Sequence, residues 1–387
     1  MVRKSWQWLV LTLGLLLCLA GSLGAATIKD AGILLGGFSA EFRVINSKGQ
    51  AAGTSQAADG SSHPIFWDGK NPLQDLGTWG GDMAWANAIN SKGQVAGQAK
   101  DLNGNWHAFF WDPKTKVLQD LGTFGGDWCN ANDINDKGQV VGEAQDANGN
   151  WRAFLWYLKT KTMQDLGTLG GDSSTASAIN SKGQVVGWSE VTPGGSGHAF
   201  LWDPKTKSMQ DLGTPGGTYS IAYAINDKGQ VVGSGATIEA MHEHAFFWDP
   251  KTKTMQDLGT LGGTWSWATF INSKGQVAGH IYIGTTHERG FFWDPKIKVL
   301  QDLGSLGGKV TVPAGINSKG QVVGYSSGPS PDYFSNAFLW DPKTQTMQKL
   351  GTLGGDWSWA HAINDKGQVA GGAEDVNGYE HAVIWVP

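Results

Sequence analysis

Two linked segments decide the fold. The first is Ala224-Ile225-Asn226-Asp227-Lys228-Gly229-Gln230-Val231-Val232-Gly233. The second follows a short variable stretch and runs His244-Ala245-Phe246-Phe247-Trp248-Asp249-Pro250-Lys251-Thr252-Lys253-Thr254-Met255-Gln256-Asp257-Leu258-Gly259. The chain repeats this pattern eight times. The Ile-Asn-x-Lys-Gly-Gln signature begins at Ile45, Ile89, Ile134, Ile179, Ile225, Ile271, Ile316 and Ile363, and the aromatic signature closes in step on Trp67, Trp111, Trp156, Trp202, Trp248, Trp293, Trp340 and Trp385. A fixed period of about 45 residues marks a repeat architecture in which each unit cannot bury its apolar face alone.

Each unit holds four short strand candidates separated by turn chemistry. Ala222 to Asn226 and Gln230 to Gly233 flank Asp227-Lys228-Gly229, whose glycine can take the positive φ that a bulged hairpin needs. Ala245 to Trp248 and Thr254 to Leu258 flank Asp249-Pro250-Lys251-Thr252-Lys253, a second tight hairpin. Four antiparallel strands at this period predict a propeller blade, and eight copies predict an all-β, eight-bladed β-propeller. The chain ends agree with a closed ring. Thr27-Ile28-Lys29-Asp30-Ala31-Gly32 matches the fourth strand, and the C-terminus stops at a third strand, Val383-Ile384-Trp385, so the N-terminal strand is expected to complete the last blade. Closure would leave no unpaired edge to seed aggregation.

Residues 1 to 26 carry Arg3 and Lys4, an apolar run from Leu9 to Ala20 and small residues through Gly24-Ala25-Ala26, the layout of a secretory signal peptide. The run is shorter than the roughly 20 residues that span a bilayer. Residues 27–387 then form one propeller domain, secreted or held at the cell surface or periplasm, with no transmembrane segment after cleavage. Only Cys129 remains in that part, so no internal disulfide is expected and packing must supply the stability. A buried Trp removes roughly 150–250 Å² from water, about 4–6 kcal/mol gross. The eight repeated indoles therefore read as framework.

The His-Ala-Phe at His198-Ala199-Phe200 and His244-Ala245-Phe246 resembles the signature of the HAF-type "probable extracellular repeat" family, and the likeness covers essentially the whole chain after residue 26. Arg152 and Asn336 at the His position and Val383 at the Phe position depart from it. The resemblance implies an exported or surface repeat protein, often bacterial, and supplies no catalytic residue.

Because strands run up and down, both constant turns should share one face and all variable loops the other. The constant turns hold 20 of the 29 Lys and Arg against nine Asp, a local surplus of eleven positive charges, while the whole chain stands at −5. One face is thus expected to be basic, suited to anionic envelope polymers or lipid headgroups. Nucleic acid is not an expected partner of an exported, acidic chain. The variable face is where a binding surface belongs. Its aromatic residues cluster unevenly: Trp79, Trp85, Trp128, Tyr219, Tyr223, Trp265, Trp267, Trp357 and Trp359, joined by His361, form the candidate ligand site, while units near Ser173-Ser174-Thr175 and Lys309-Val310-Thr311 have none. Flat indoles there could stack on carbohydrate or grip a protein, or instead wedge between blades.

No nucleophile elbow, catalytic triad or zinc signature appears. Asp82, Asp127, Asp172 and Asp356 recur after Gly-Gly and are expected to cap loops. Asp101-Leu102-Asn103-Gly104, Asp146-Ala147-Asn148-Gly149 and Asp375-Val376-Asn377-Gly378 have glycine fourth, as in a hairpin turn, where a calcium loop wants it sixth. No metal and no cofactor is expected. The runner-up to a binding protein is a polysaccharide hydrolase or lyase with paired carboxylates at the channel mouth.

Overall fold

The computed structural model describes residues 26–238, 242–284, 286–330 and 334–386; the expected leader falls almost wholly in residues 1–25, outside that set. Among the described residues the chain is all-β, and no helix is long and apolar enough to cross a membrane.

The unit at 220–259 shows how the repeat folds. Ser220–Ile225 pairs antiparallel with Val231–Ala236, which pairs with Glu243–Asp249, which pairs with Thr254–Gly259. Asn226 shapes the first turn: its Oδ1 accepts the Lys228 and Gln230 amides, and Gly229 takes φ +80°. Asp249 shapes the second, its Oδ1 accepting the Lys251 amide. Register slips between Ala222 and Ala224, leaving Tyr223 as a bulged residue. The Gly233 opposite the bulge has no room for a side chain, because a Cβ there would collide with the Ile221 carbonyl and lie 2.7 Å from Phe246 Cζ.

The same four-strand order recurs from Ala40–Ile45, Ser174–Ile179, Trp265–Ile271 and Thr311–Ile316. Two further units, opening at Gly80–Ile89 and Gly125–Ile134, are joined into a single sheet by one parallel bridge between Trp128 and Trp106. The last unit, Gly354–Ile363, Val369–Asp375 and Glu380–Val386, takes its fourth strand from Thr27–Gly32.

Successive sheets pack face to face. Phe246 and Trp248 share a core with Val186 and Leu201 of the preceding sheet, and Ala382 and Ile384 of the last sheet share one with Phe42 and Trp67 of the first. Six of the repeated indoles, including Trp111, Trp202 and Trp385, are fully buried there. The buried asparagines link neighbouring units. Asn46 Nδ2 donates to the Asn90 carbonyl, and the same step repeats from Asn90, Asn135, Asn180, Asn226, Asn272 and Asn317 to the next unit, until Asn364 donates to Asn46 at 3.0 Å.

Candidate functional site

The two constant turns lie side by side. Gln230 Nε2 donates to Asp249 Oδ2 at 2.9 Å, and Gln94 with Asp112, Gln184 with Asp203, Gln276 with Asp294 and Gln321 with Asp341 repeat the bond. Strand direction then places the variable loops together on the opposite face, where the candidate aromatic residues fall.

The structure gathers those residues into separate groups. Trp85 stacks on Trp106 at 4.8 Å, Trp106 lies 5.8 Å from Trp128, and Trp128 lies 6.0 Å from Trp151, forming one row across two units. Lys100 Nζ sits 5.2 Å from the Trp106 ring. Trp357 stacks on Trp359 at 5.9 Å and 10°, with Phe334 edge-on at 5.1 Å. Trp267 donates its Nε1–H to Glu243 Oε2 at 2.6 Å and packs against His280 and Tyr282, while Trp265 meets His242. Tyr223 pairs with Ser234 at 3.2 Å. The Tyr219 hydroxyl is pushed up to about 12 by burial, with Tyr223 and Glu243 adding to it. Trp79 stands apart, edge-on to His107. Trp128 and Trp265 are the exposed members, at 43% and 37%; the others are half-buried between strands.

The bulge explains why certain variable residues turn to a neighbouring unit. His361 and Tyr223 are both bulged residues, as are Arg43, Asn87 and Asn132. A bulge re-aims its side chain. His361 Nε2 reaches Glu41 Oε2 at 2.9 Å across 320 positions of sequence, and Asn87 donates to Asn130 Oδ1 and the Ala131 carbonyl.

The glutamates of this face were missed by the sequence reading. Glu243, Glu288 and Glu380 occupy one repeat position, just before the His of the His-Ala-Phe signature, and Trp106 and Trp151 take the same place in two other units. All eight glutamates of the chain lie outside the constant turns, a segregation visible in the sequence. Their environments differ. Burial opposes ionisation of Glu41, but His361 and Arg43 outweigh it and hold the carboxyl down at about 2. Burial, reinforced by the Glu41 charge, pushes Glu380 up despite a 3.0 Å bond from Ser39. Burial likewise raises Glu143, though Asn130 and Asn132 donate to it, and Glu288 beside Tyr282. His280 is driven down to about 4 by burial, and among the described residues its Nδ1 has no partner.

The signature histidines work within their own units. His198 Nδ1 lies 2.9 Å from Asp211 and His244 Nδ1 2.8 Å from Asp257. Arg152 with Asp165 and Arg289 with Asp302 substitute for the pair, and where Asn336 replaces the His, Lys349 replaces the Asp. His381 pairs with Asp30 at the join of the two chain ends. Loop capping also falls elsewhere than expected: Asp211 and Asp257 accept the Gly213 and Gly259 amides, whereas Asp356 and Asp172 are exposed and engage through their backbone, their amides donating to Glu374 and Glu190 and the Asp172 carbonyl accepting from Arg152. In the Asp-x-Asn-Gly loops, Asp101 Oδ1 accepts the Asn103 and Asn105 amides and Asp146 repeats this. Among the described residues no three His, Cys, Asp or Glu converge as a metal-ligand set.

Four-stranded antiparallel sheets packed face to face around common first strands define the β-propeller class. A family model described as "Protein of unknown function (DUF3466)" matches residues 129–215. No curated protein matches the chain. Similar solved structures include one from a study of two prolyl endopeptidases (TM-score 0.57, 11% identity, 90% of this chain and 54% of that one), puromycin hydrolase (0.54, 14%, 91% and 59%) and the β-propeller domain of the Trilobed protease from Pyrococcus furiosus, titled as having an open velcro topology (0.50, 12%, 78% and 93%). This chain spans just over half the length of the first two. At these identities the likeness shows the fold.

Proposed function

We propose that the chain is an exported, HAF-type binding propeller whose aromatic face holds a carbohydrate, the residues Trp79, Trp85, Trp128, Tyr219, Tyr223, Trp265, Trp267, Trp357, Trp359 and His361 supplying the contacts. The observation that carries this reading is the row Trp85, Trp106, Trp128, Trp151, with Trp128 43% exposed near its middle. An indole left open to water beside other indoles, with carboxylates on the same face, offers stacking surface and hydrogen-bond acceptors together, which is what a sugar ring requires. A protein ligand would use the same aromatic anchors. The scaffold in this reading is an eight-bladed ring closed by Thr27–Gly32. The Asn364-to-Asn46 bond, the His381–Asp30 pair and the core shared by Ile384 and Phe42 support closure. Export rests on Arg3, Lys4 and the run Leu9 to Ala20.

Affinity electrophoresis through gels containing single polysaccharides tests this. The wild type is retarded by at least one, and Trp128→Ala, which removes an exposed side chain and leaves the fold intact, loses the retardation. Retardation unchanged in Trp128→Ala would remove the site from this row.

One observation favours a second reading, polysaccharide cleavage. Glu41 and Glu380 lie on different sheets, near enough for the Glu41 charge to act on Glu380, and have opposite tendencies, one held ionised and one pushed toward the protonated form, the division of labour that glycosidic chemistry uses. Release of reducing or unsaturated ends, abolished in Glu380→Gln, would establish that reading; no release from any polysaccharide that binds would eliminate it.

A further inference from the structure

The face opposite the aromatic one carries an unbalanced charge. All 20 lysines of the constant turns are exposed. The described Lys and Arg ion pairs belong to Arg43, Lys100, Arg152 and Arg289, none of them in these turns. The nine aspartates of the turns are spent internally. Asp112, Asp203 and Asp249 each use one oxygen on a turn amide and the other on a Gln side chain, while Asp136, Asp227 and Asp365 accept the Ser91, Ser181 and Ser318 amides of the preceding unit. Lysines therefore project outward while the carboxylates are tied back into the turns.

Two apolar features lie among these lysines. Val117, Ile297 and Val299 adjoin Lys116 and Lys298 in the Asp-Pro turns and are 59%, 58% and 56% exposed. At the centre of the same face the ends of the first strands enclose a cavity of about 430 Å³, with Ile89, Ile134, Ile225 and Ile271 on its wall, and an adjoining one of about 270 Å³ takes in Ile316 and Ile363.

We propose that this face docks on an anionic lipid surface, lysines meeting the headgroups while Val117, Ile297 and Val299 enter the interface. A flat basic face gathers attraction from each lysine within a Debye length of an anionic leaflet. A soluble polyanion would be held by the lysines alone and would have no use for bare aliphatic side chains. Lipid uses both, since apolar burial adds to headgroup attraction. The aromatic face would then point away from the membrane, toward its ligand.

The test uses residues 26–387, which contain all the described strands and omit the apolar run Leu9 to Ala20 that would partition into vesicles by itself. Co-sedimentation is measured with phosphatidylcholine vesicles, with vesicles containing phosphatidylglycerol, and against soluble dextran sulfate. The expected result is binding to the anionic vesicles, little to the neutral ones, and loss at high salt. The variant Lys48→Gln/Lys92→Gln/Lys137→Gln/Lys182→Gln, at exposed positions that form no ion pair among the described residues, should bind roughly tenfold or more weakly. Val117→Ser/Ile297→Ser/Val299→Ser should weaken vesicle binding several-fold and leave dextran sulfate binding unchanged. No sedimentation with anionic vesicles at low salt, or equal sedimentation with both vesicle types, overturns the proposal. So does a triple serine variant that binds vesicles as the wild type does, which would assign the face to a soluble polyanion.

Discussion

Gly233→Ala should be among the most damaging single-methyl additions to this chain. Gly233 opposes Ala222 at the bulge, and an added Cβ would overlap the Ile221 carbonyl and press on Phe246 Cζ at 2.7 Å, inside any ordinary carbon contact. Neither neighbour can move alone, because Phe246 is fully buried and Ile221 is held by its own ladder to Ser234. The strands must therefore part by more than about 1 Å, which weakens two to four ladder hydrogen bonds at about 1 kcal/mol each and adds about 1–3 kcal/mol of overpacking. Alanine's smaller unfolded-state entropy returns less than about 1 kcal/mol. The net cost is about 2–7 kcal/mol, centred near 4–5. With an unfolding entropy near 2.1 cal/mol/K per residue, a chain of this length should melt roughly 6 °C lower. Calorimetry or near-UV circular dichroism on wild type, Gly233→Ala and the control Gly229→Ala measures it. The control sits in a turn at φ +80° with its nearest neighbour 3.4 Å away, and should cost only about 1 kcal/mol. A Gly233→Ala protein melting within a degree of wild type would refute the close approach and the bulge that creates it.

Other expectations concern charge. Burial raises Asp133 to about 6 against bonds from the Ile134 and Ile179 amides, so the folded state favours the protonated form; wild-type stability should fall as pH rises from about 4 to 6, and Asp133→Asn should flatten that limb of a Tm-against-pH curve. His280, held down at about 4, has the reverse sign: its contribution is intact above about 6.5 and lost as pH falls toward 4, a decline that His280→Gln should abolish. Installing the repeat's own pair in the unit that lacks it, Asn336→His with Lys349→Asp, should show a coupling of about 0.5–1 kcal/mol in a double-mutant cycle, and additive single effects would deny that the pair is the reason for the signature.

The architecture was legible because it is written eight times. A short strand is ambiguous alone, but the Asn-x-Lys-Gly and Asp-Pro-Lys turns recur at one period and pin each hairpin. The match of Thr27–Gly32 to a fourth strand was readable for the same reason, and its pairing with Glu380–Val386 follows. The site was legible only in part, because what varies between repeats carries no such signal. Indoles stood out as costly residues in loops. Glu41 did not, since nothing local distinguishes it from a solvated glutamate; its meaning lies in His361, brought beside it by the bulge and by the packing of the last sheet on the first. The His-Asp pairs were hidden for a related reason: the antiparallel register set by the short turn at 204–207 makes neighbours of His198 and Asp211, which stand 13 positions apart in sequence. Capping was given to Asp82, Asp127, Asp172 and Asp356 because they repeat, but in the Asp-Leu-Gly turns the aspartate two residues before a positive-φ glycine performs it, as Asp211 does for Gly213.

The most direct test of a sugar-binding aromatic face is intrinsic Trp fluorescence titrated with soluble oligosaccharides, on wild type, Trp128→Ala and Trp359→Ala, each first shown to be folded. Trp128, exposed at 43% and central to its row, should report stacking as a saturable change. Saturation is expected in the wild type, and its loss in Trp128→Ala. Saturation that survives in both variants, or no change with any sugar while Trp128→Ala keeps wild-type stability, would contradict it.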